Sequence, residues 1–262
     1  MLRFPRASVA LFTLLLSAPL SLRSQMLETE KARPHPKGYR EASAGIELQT
    51  SSQGREAAVP LVFEFLPTSK LELVIEPVAY AAIRPKTGQH ATGFGDLELT
   101  ALWFLHAESG ALPALAIAAE LKVPTASNTL IGTGKPDFTG YVVASKRFGR
   151  FDNHLNLGYT IVGVPRGAQL GDLVNFAAAS EFLISSRMEL FAEILGNTAV
   201  GGEGGSEVAG TTPVVPEAAG GELVATLGMA RWITKAVRLS LGVSHDNTRA
   251  WQWHPGITVR FP

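Results

Sequence analysis

The chain has 262 residues, contains no cysteine, and balances 23 Lys and Arg against 23 Asp and Glu, so its formal net charge is zero. Zero net charge gives no electrostatic reason to expect nucleic acid as a partner, and the lack of cysteine excludes disulfides and thiolate metal ligands. The length suits one large domain or two small ones.

Residues 1–25 have the pattern of a secretory signal peptide. Arg3 and Arg6 make a basic start, and the stretch from Ala7 to Leu22 has no charge. This stretch is short for a membrane-spanning helix, which needs about 20 apolar residues. We therefore predict export through the inner membrane with cleavage near residue 25, and an uncleaved anchor is the alternative.

Residues 26–41 differ from the rest of the chain because they are polar and contain Pro34, Pro36 and Gly38. Prolines and glycine at this density favour an irregular segment over a strand. Two interpretations stay open: a periplasmic lead-in to the folded domain, or a small plug within it.

From residue 42 onward, segments of about ten residues alternate between apolar and polar side chains, which is the period of a strand. In residues 71–76, leucine and isoleucine occupy the odd positions, whereas Glu72 and Glu76 lie on the opposite face. A helix would need apolar residues three and four positions apart. The segment length matches a tilted transmembrane strand.

The alternation predicts an all-β fold for residues 42–262: a transmembrane, antiparallel, up-and-down β-barrel of about twelve strands. The predicted strands are 42–50, 57–66, 71–81, 95–105, 113–123, 137–148, 153–163, 173–184, 188–197, 222–232, 236–246 and 251–261. Short connections (67–70, 149–152, 185–187, 233–235) alternate with longer ones (82–94, 124–136, 164–172, 198–221), as periplasmic turns and extracellular loops do.

Two points about the strands stay open on the sequence alone. The segment 42–50 is a weak strand, so a count of ten remains an alternative. In 137–148 either face could be the lipid face, because Tyr141 and Val143 compete with Phe138 and Val142.

The end of the chain resembles the terminal strand that outer-membrane barrels present to the barrel-assembly machinery. The pattern is polar, glycine, apolar and then aromatic, carried here by His254, Gly256, Val259 and Phe261. A last strand of this kind must present a lipid-compatible face and pair with the first strand. We expect Arg260 to point inward.

The same alternation predicts which charged side chains line the lumen. A charged residue in the middle of the lipid face costs about 2–4 kcal/mol for Arg or Lys, so inward positions are strongly favoured. The candidates are Glu64, Glu72, Glu76, Asp96, Glu98, Glu120, Lys122, Glu181, Glu189, Glu193, Arg238 and Arg260. They line either a polar conduit or a packed, salt-bridged interior, and we expect the pairs Glu72/Glu76 and Glu189/Glu193 to meet Lys122, Arg238 or Arg260.

We predict no enzyme activity, no cofactor and no metal site. A serine and a histidine on one strand share a face only when they are two residues apart, and none of the six histidines has such a serine after it. Ser244 and His245 are neighbours, which point to opposite faces. The histidines are also not spaced as metal ligands on a strand.

Three segments carry a family resemblance: residues 93–99, residues 120–125, and residues 132–159 with their glycine and proline turns. In order and spacing they resemble the outer-membrane transporter family named for the meta-pathway of phenol degradation. The resemblance covers residues 55–262. It implies a barrel and suggests uptake of small hydrophobic or aromatic compounds.

The leading hypothesis is therefore a bacterial outer-membrane barrel for passive passage of small hydrophobic or aromatic solutes, with outer-membrane lipid and the barrel-assembly machinery as partners. A non-transporting structural or surface-interaction barrel is the alternative, and an outer-membrane lipid hydrolase ranks third.

Overall fold

The computed structural model describes residues 27–167, 170–200 and 221–261, and the side chains of Ala199 and Val200 lie outside this description. The predicted signal peptide 1–25 and most of the predicted loop 198–221 therefore fall outside the described residues. The described chain is all-β. Within it, no helix is long and apolar enough to cross a membrane.

The strand segments form one continuous antiparallel sheet. Their bounds are β1 (Arg40–Gly45), β2 (Glu47–Thr50), β3 (Gly54–Phe65), β4 (Leu71–Pro85), β5 (Ala91–Gly93), β6 (Leu97–His106), β7 (Ala114–Val123), β8 (Asp137–Phe148), β9 (Phe151–Ile161), β10 (Asp172–Ser185), β11 (Met188–Val200), β12 (Leu223–Trp232), β13 (Val237–Asp246) and β14 (Trp251–Phe261).

The sheet closes on itself because the first and last strands pair. Strand β1 lies against β14 from Arg40↔Phe261 to Gly45↔Gly256, and β2 continues the same pairing with β14 beyond Ile46. Because β1 and β2 share both neighbours, they form one barrel strand, and β5 only extends the hairpin formed by β4 and β6. The result is a closed antiparallel barrel of twelve strands, which confirms the predicted fold class and decides against ten.

The two ends of the barrel differ in their connections. One end, the turn rim, carries the connections 66–70, 107–113, 149–150, 186–187 and 233–236 and the last residue of β14. The other end, the loop rim, carries 86–96, 124–136 and 162–171, together with two short turns at 51–53 and 247–250. The connection between β8 and β9 is tighter than predicted, since Gly149 adopts the left-handed φ of 58° that a two-residue hairpin needs.

The exterior of the barrel is apolar. In β9, Leu155 and Leu157 are each 57% exposed, while the alternate residues His154 and Asn156 are each 3% exposed. Exposed aromatic side chains gather toward both rims: Trp251, Trp253 and Tyr159 toward the loop rim, and Phe148, Phe151 and Phe261 toward the turn rim. This is the banded exterior expected of a barrel surrounded by lipid.

Strand β8 shows which of its faces is outward. Phe138 and Val142 are 48% and 57% exposed, whereas Val143 is fully buried. The reason is that Thr139 and Ser145 share the face of Val143 and bond to residues of β9 inside the barrel. Tyr141, on that inward face, packs against the buried apolar cluster that includes Val143.

Candidate functional site: the barrel interior

The twelve charged residues predicted to line the lumen are all buried or half-buried. Seven carboxylates and one lysine are buried: Glu64, Glu72, Glu76, Glu98, Glu120, Glu181, Glu193 and Lys122. Four are half-buried: Asp96, Glu189, Arg238 and Arg260. Asp96 stands apart, since it precedes β6 and its Oδ1 accepts the backbone N–H of Ala126 at 2.9 Å, which ties the 124–136 loop to the loop rim.

The N-terminal segment, residues 27–38, lies inside the barrel. It passes the turn rim where the backbone N–H of Gly38 donates to Leu66 and that of Leu66 donates to Tyr39. From there the chain runs inward, and Thr29 donates both its N–H and its hydroxyl to Oε1 of Glu193, at 2.8 and 2.5 Å. The half of the lumen next to the turn rim is therefore occupied by residues 27–38.

Cationic side chains of the segment meet carboxylates of the wall. The Lys31 ammonium lies 2.5 Å from Oε1 of Glu181. The Arg33 guanidinium donates one N–H to Asp152 and another to Glu108, so it bridges β9 and the 107–113 turn. These charge-assisted bonds are among the stronger kinds in proteins, because both donor and acceptor are ionised.

An apolar cluster supports the same segment. Ala32 is fully buried among Leu102 and Phe104 of β6, Ala116 of β7 and Val143 of β8. Its backbone N–H donates to Oγ of Ser145 at 2.8 Å. Alanines at three inward positions of β7 leave the space that a passing backbone needs: Ala114, Ala116 and Ala118.

The contacts between the N-terminal segment and the wall shift the pKa values of two groups outside the strands, Glu108 and His35. Hydrogen bonds from Arg33 and Lys146 lower the pKa of Glu108 to about 2, so this carboxylate stays charged at any ordinary pH. Burial, with the charges of Lys31 and Arg260, lowers the pKa of His35 to about 4. His35 is thus neutral at pH 7, and its 3.7 Å approach to Glu64 is no ion pair there.

Further ion pairs join strands along the inner wall. Arg238 bonds to Glu189, which confirms that expected pairing, and Lys122 bonds to Asp137, a partner that was not expected. Arg260 points inward, as expected, with its Nε donating to the Tyr39 hydroxyl at 3.1 Å.

The terminal-strand motif is divided between the two faces of β14. Phe261 is 48% exposed on the outer face, and Val259 on the same face is half-buried. Gly256 lies opposite Gly45 and Ser240 on the neighbouring strands. His254 faces the interior, where its Nε2 lies 2.7 Å from Oγ of Ser244.

Register brings together serine–histidine pairs that the sequence analysis missed. Ser145 and His154 are directly opposite on β8 and β9, with Oγ 2.8 Å from Nδ1, and Ser244 meets His254 across β13 and β14. The rule that a serine and a histidine must be two residues apart applies within one strand. It therefore wrongly excluded pairs whose serine and histidine lie on neighbouring strands and share a face. Ser145, however, is 1% exposed and lies beneath Ala32, so its hydroxyl has no open approach.

One group of side chains has the donor atoms for a metal ion. Asp152 and His154 of β9 and Glu181 of β10 each place one ligand atom within 4.8 Å of the others, and all three are buried. The spacing of the histidines does not predict this set, because its other two donors are carboxylates and one of them lies on the neighbouring strand.

Comparison with known proteins yields structural relatives but no sequence family. No protein-family model matches the chain, and no curated protein matches it. An outer-membrane channel of the COG4313 group from Pseudomonas putida F1 aligns over 90% of this chain and all of its own, with 11% identity and a TM-score of 0.67.

Two porins align less closely. The NanC porin matches over 84% of this chain and all of its own at 7% identity and a TM-score of 0.59. The KdgM porin, in complex with disordered oligogalacturonate, covers 85% of this chain and 99% of its own at 8% identity and a TM-score of 0.55.

The chain has the fold of outer-membrane β-barrels. At these identities the likeness concerns the fold alone. The resemblance to the meta-pathway family is not confirmed by any match and stays a prediction.

Proposed function

We propose that this chain is an outer-membrane channel for the passive passage of small compounds. The observation that carries the proposal is the closure of twelve strands with an apolar exterior and a charged interior. Only helices and closed barrels satisfy all backbone hydrogen bonds within lipid. Contact with lipid explains the apolar exterior but does not require a polar interior. A polar interior is what a pathway for solutes would use.

The proposed orientation places the turn rim in the periplasm. Short turns and both ends of the barrel domain lie at this rim, which is the arrangement of bacterial outer-membrane barrels. The predicted signal peptide would export the chain, and β14 would be the strand that the barrel-assembly machinery recognises. The long loops would then face the cell exterior.

Small hydrophobic or aromatic molecules are the proposed solutes. The family resemblance suggests them, and an apolar wall toward the loop rim supports them: Ala58 of β3 and Val78 and Ala81 of β4 are buried together against Ile131 of the 124–136 loop. A wall of this kind gives an apolar solute a favourable first contact.

In this proposal the N-terminal segment is a plug. It fills the lumen near the turn rim through Lys31, Arg33 and Ala32, so that passage requires the segment to shift or leave. A plug held by several bonds of modest strength could leave without unfolding the barrel, since β1 begins only at Arg40.

The experiment compares the full chain with a variant lacking residues 27–37. Conductance in planar lipid bilayers measures whether the lumen opens, and uptake of the aromatic probe 1-N-phenylnaphthylamine by expressing cells measures apolar passage. We expect larger conductance and faster probe uptake for the deletion variant. A swelling assay with arabinose in vesicles is the control for nonspecific leakage of polar solutes.

A non-transporting structural barrel is the second candidate, and the ion pairs favour it. Pairs such as Lys122–Asp137 and Arg238–Glu189 join strands along the inner wall, independently of the segment. If these pairs fill the lumen, the deletion variant will conduct no better than the full chain. That result, with the barrel intact, would reject the channel in favour of the structural candidate.

A further inference from the structure

Three side chains at the inner face of β9 and β10 converge on one point. Asp152 and His154 are two residues apart and so share a face, and Glu181 is the register partner of Asp152. Nε2 of His154 lies 3.8 Å from Oδ1 of Asp152 and 3.8 Å from Oε2 of Glu181. Their burial leaves them 3–6% exposed, so water contributes little here.

The imidazole of His154 has one nitrogen satisfied and one not. Its Nδ1 lies 2.8 Å from Oγ of Ser145, while its Nε2 has no hydrogen-bond partner among the described residues. The side chain is fully buried, and an unsatisfied buried polar nitrogen costs about 1–3 kcal/mol. The unsatisfied atom is the one that points at the two carboxylates.

We propose that Asp152, His154 and Glu181 form a binding site for a divalent first-row metal ion such as Zn²⁺. One imidazole nitrogen and two carboxylate oxygens are suitable donors for this ion, with water at the fourth position. Ser145 would receive the N–H of the other ring nitrogen, as the second partner of a metal-bound histidine commonly does.

The three donor atoms must move closer together to bind one ion, because two of their separations are 3.8 Å and all lie within 4.8 Å. With metal–ligand bonds of about 2.0–2.2 Å in a tetrahedral site, neighbouring donor atoms lie about 3.3 Å apart. The observed 3.8 Å separations therefore close by about half an ångström when the ion enters, which small side-chain rotations can supply.

The N-terminal segment competes for the same carboxylates. Lys31 bonds to Oε1 of Glu181, on the carboxyl group whose Oε2 faces His154, and Arg33 bonds to the Oδ1 of Asp152 that would be the ligand. A bound ion repels Lys31 and Arg33 and takes over their contacts with Glu181 and with Oδ1 of Asp152, whereas Arg147 bonds to Oδ2, the other oxygen of Asp152. Linkage then requires that the docked segment weakens metal binding by the same factor by which the bound ion weakens docking of the segment.

The test is calorimetric titration of the full chain, in detergent micelles, with zinc chloride. We expect one ion per barrel, and a loss of affinity of about tenfold or more in His154→Gln, because a ligand is removed. Lys31→Gln should bind zinc about tenfold more tightly, because a competitor is removed. A misfolded variant cannot show that gain, and heat-modifiable migration in SDS gels verifies folding of each protein.

His254→Gln is the matched control. This histidine also faces the interior and meets a serine, but its Nδ1 lies 3.9 Å from a single carboxylate, Glu47. Zinc affinity should be unchanged in this variant. The site is rejected if His154→Gln binds as the unaltered chain does, or if His254→Gln loses as much affinity. Unchanged affinity in Lys31→Gln would reject the competition with the segment.

Discussion

At the scale of single residues, paired glycines and aromatics set how closely neighbouring strands pack inside the barrel. Tyr141 of β8 lies opposite Gly158 of β9, and a Cβ at residue 158 would stand 2.5 Å from the tyrosine ring. Gly140 lies on the outer face of β8, and a Cβ added there would meet nothing within 4 Å. The ring therefore covers the glycine and excludes any larger side chain there.

We predict that Gly158→Ala destabilises the barrel by about 1–3 kcal/mol, because the new methyl group forces the Tyr141 ring into the packed interior. The free energy of unfolding, measured by urea titration in lipid vesicles, checks this. Gly140→Ala is the control and should change stability little. Equal effects at the two glycines would contradict the proposed overlap.

At the scale of elements, the inward face of β7 and the N-terminal segment fit one another. Strand β7 alternates strictly between buried and exposed residues, and its buried positions beside Ala32 are alanines. Larger side chains there would leave no room for the segment, whereas the outward positions of the same strand have no such restriction.

We predict that Ala116→Leu displaces the segment, because overfilling a packed site costs about 1–3 kcal/mol and the segment is the part that can move. Trypsin cleavage after Lys31, detected by mass spectrometry, should become faster, and conductance should rise. Ala119→Leu adds the same volume on the exposed outer face and serves as control. If both variants resist trypsin as the unaltered chain does, the segment is not held by this packing.

At the scale of the whole molecule, the apolar exterior requires that the barrel be surrounded by lipid. Leu157 lies at the middle of β9 with its side chain outward, and its register partners Val142 and Phe176 are exposed apolar residues as well. The outer surface is thus continuous across neighbouring strands. Burial in lipid is what stabilises such a surface.

We predict that Leu157→Lys destabilises the barrel in vesicles: the free energy of unfolding falls by about 2–4 kcal/mol, the cost of a cation at mid-membrane depth. The fraction of folded barrel after refolding, seen as heat-modifiable migration in SDS gels, measures the loss. Leu157→Phe keeps the surface apolar and should refold normally. Normal refolding of the lysine variant would show that this face does not meet hydrocarbon.

The amino-acid sequence by itself determined the strands, because alternation is a local property that each segment shows without its neighbours. The fold class followed from it, and β8 and β14 begin and end where predicted. Small errors fell at turns: β9 begins two residues before its predicted start, since Gly149 permits a tighter hairpin than composition suggests.

Only the tertiary structure decided which side chains meet inside the barrel. The register between strands placed Ser145 against His154 and Glu181 against Asp152, and no pattern within one strand contains that information. The same holds for the N-terminal segment, whose position depends on carboxylates and alanines contributed by several different strands and turns. Side-chain period is set by the backbone of one strand, whereas the contacts of the interior are set by closure of the whole sheet.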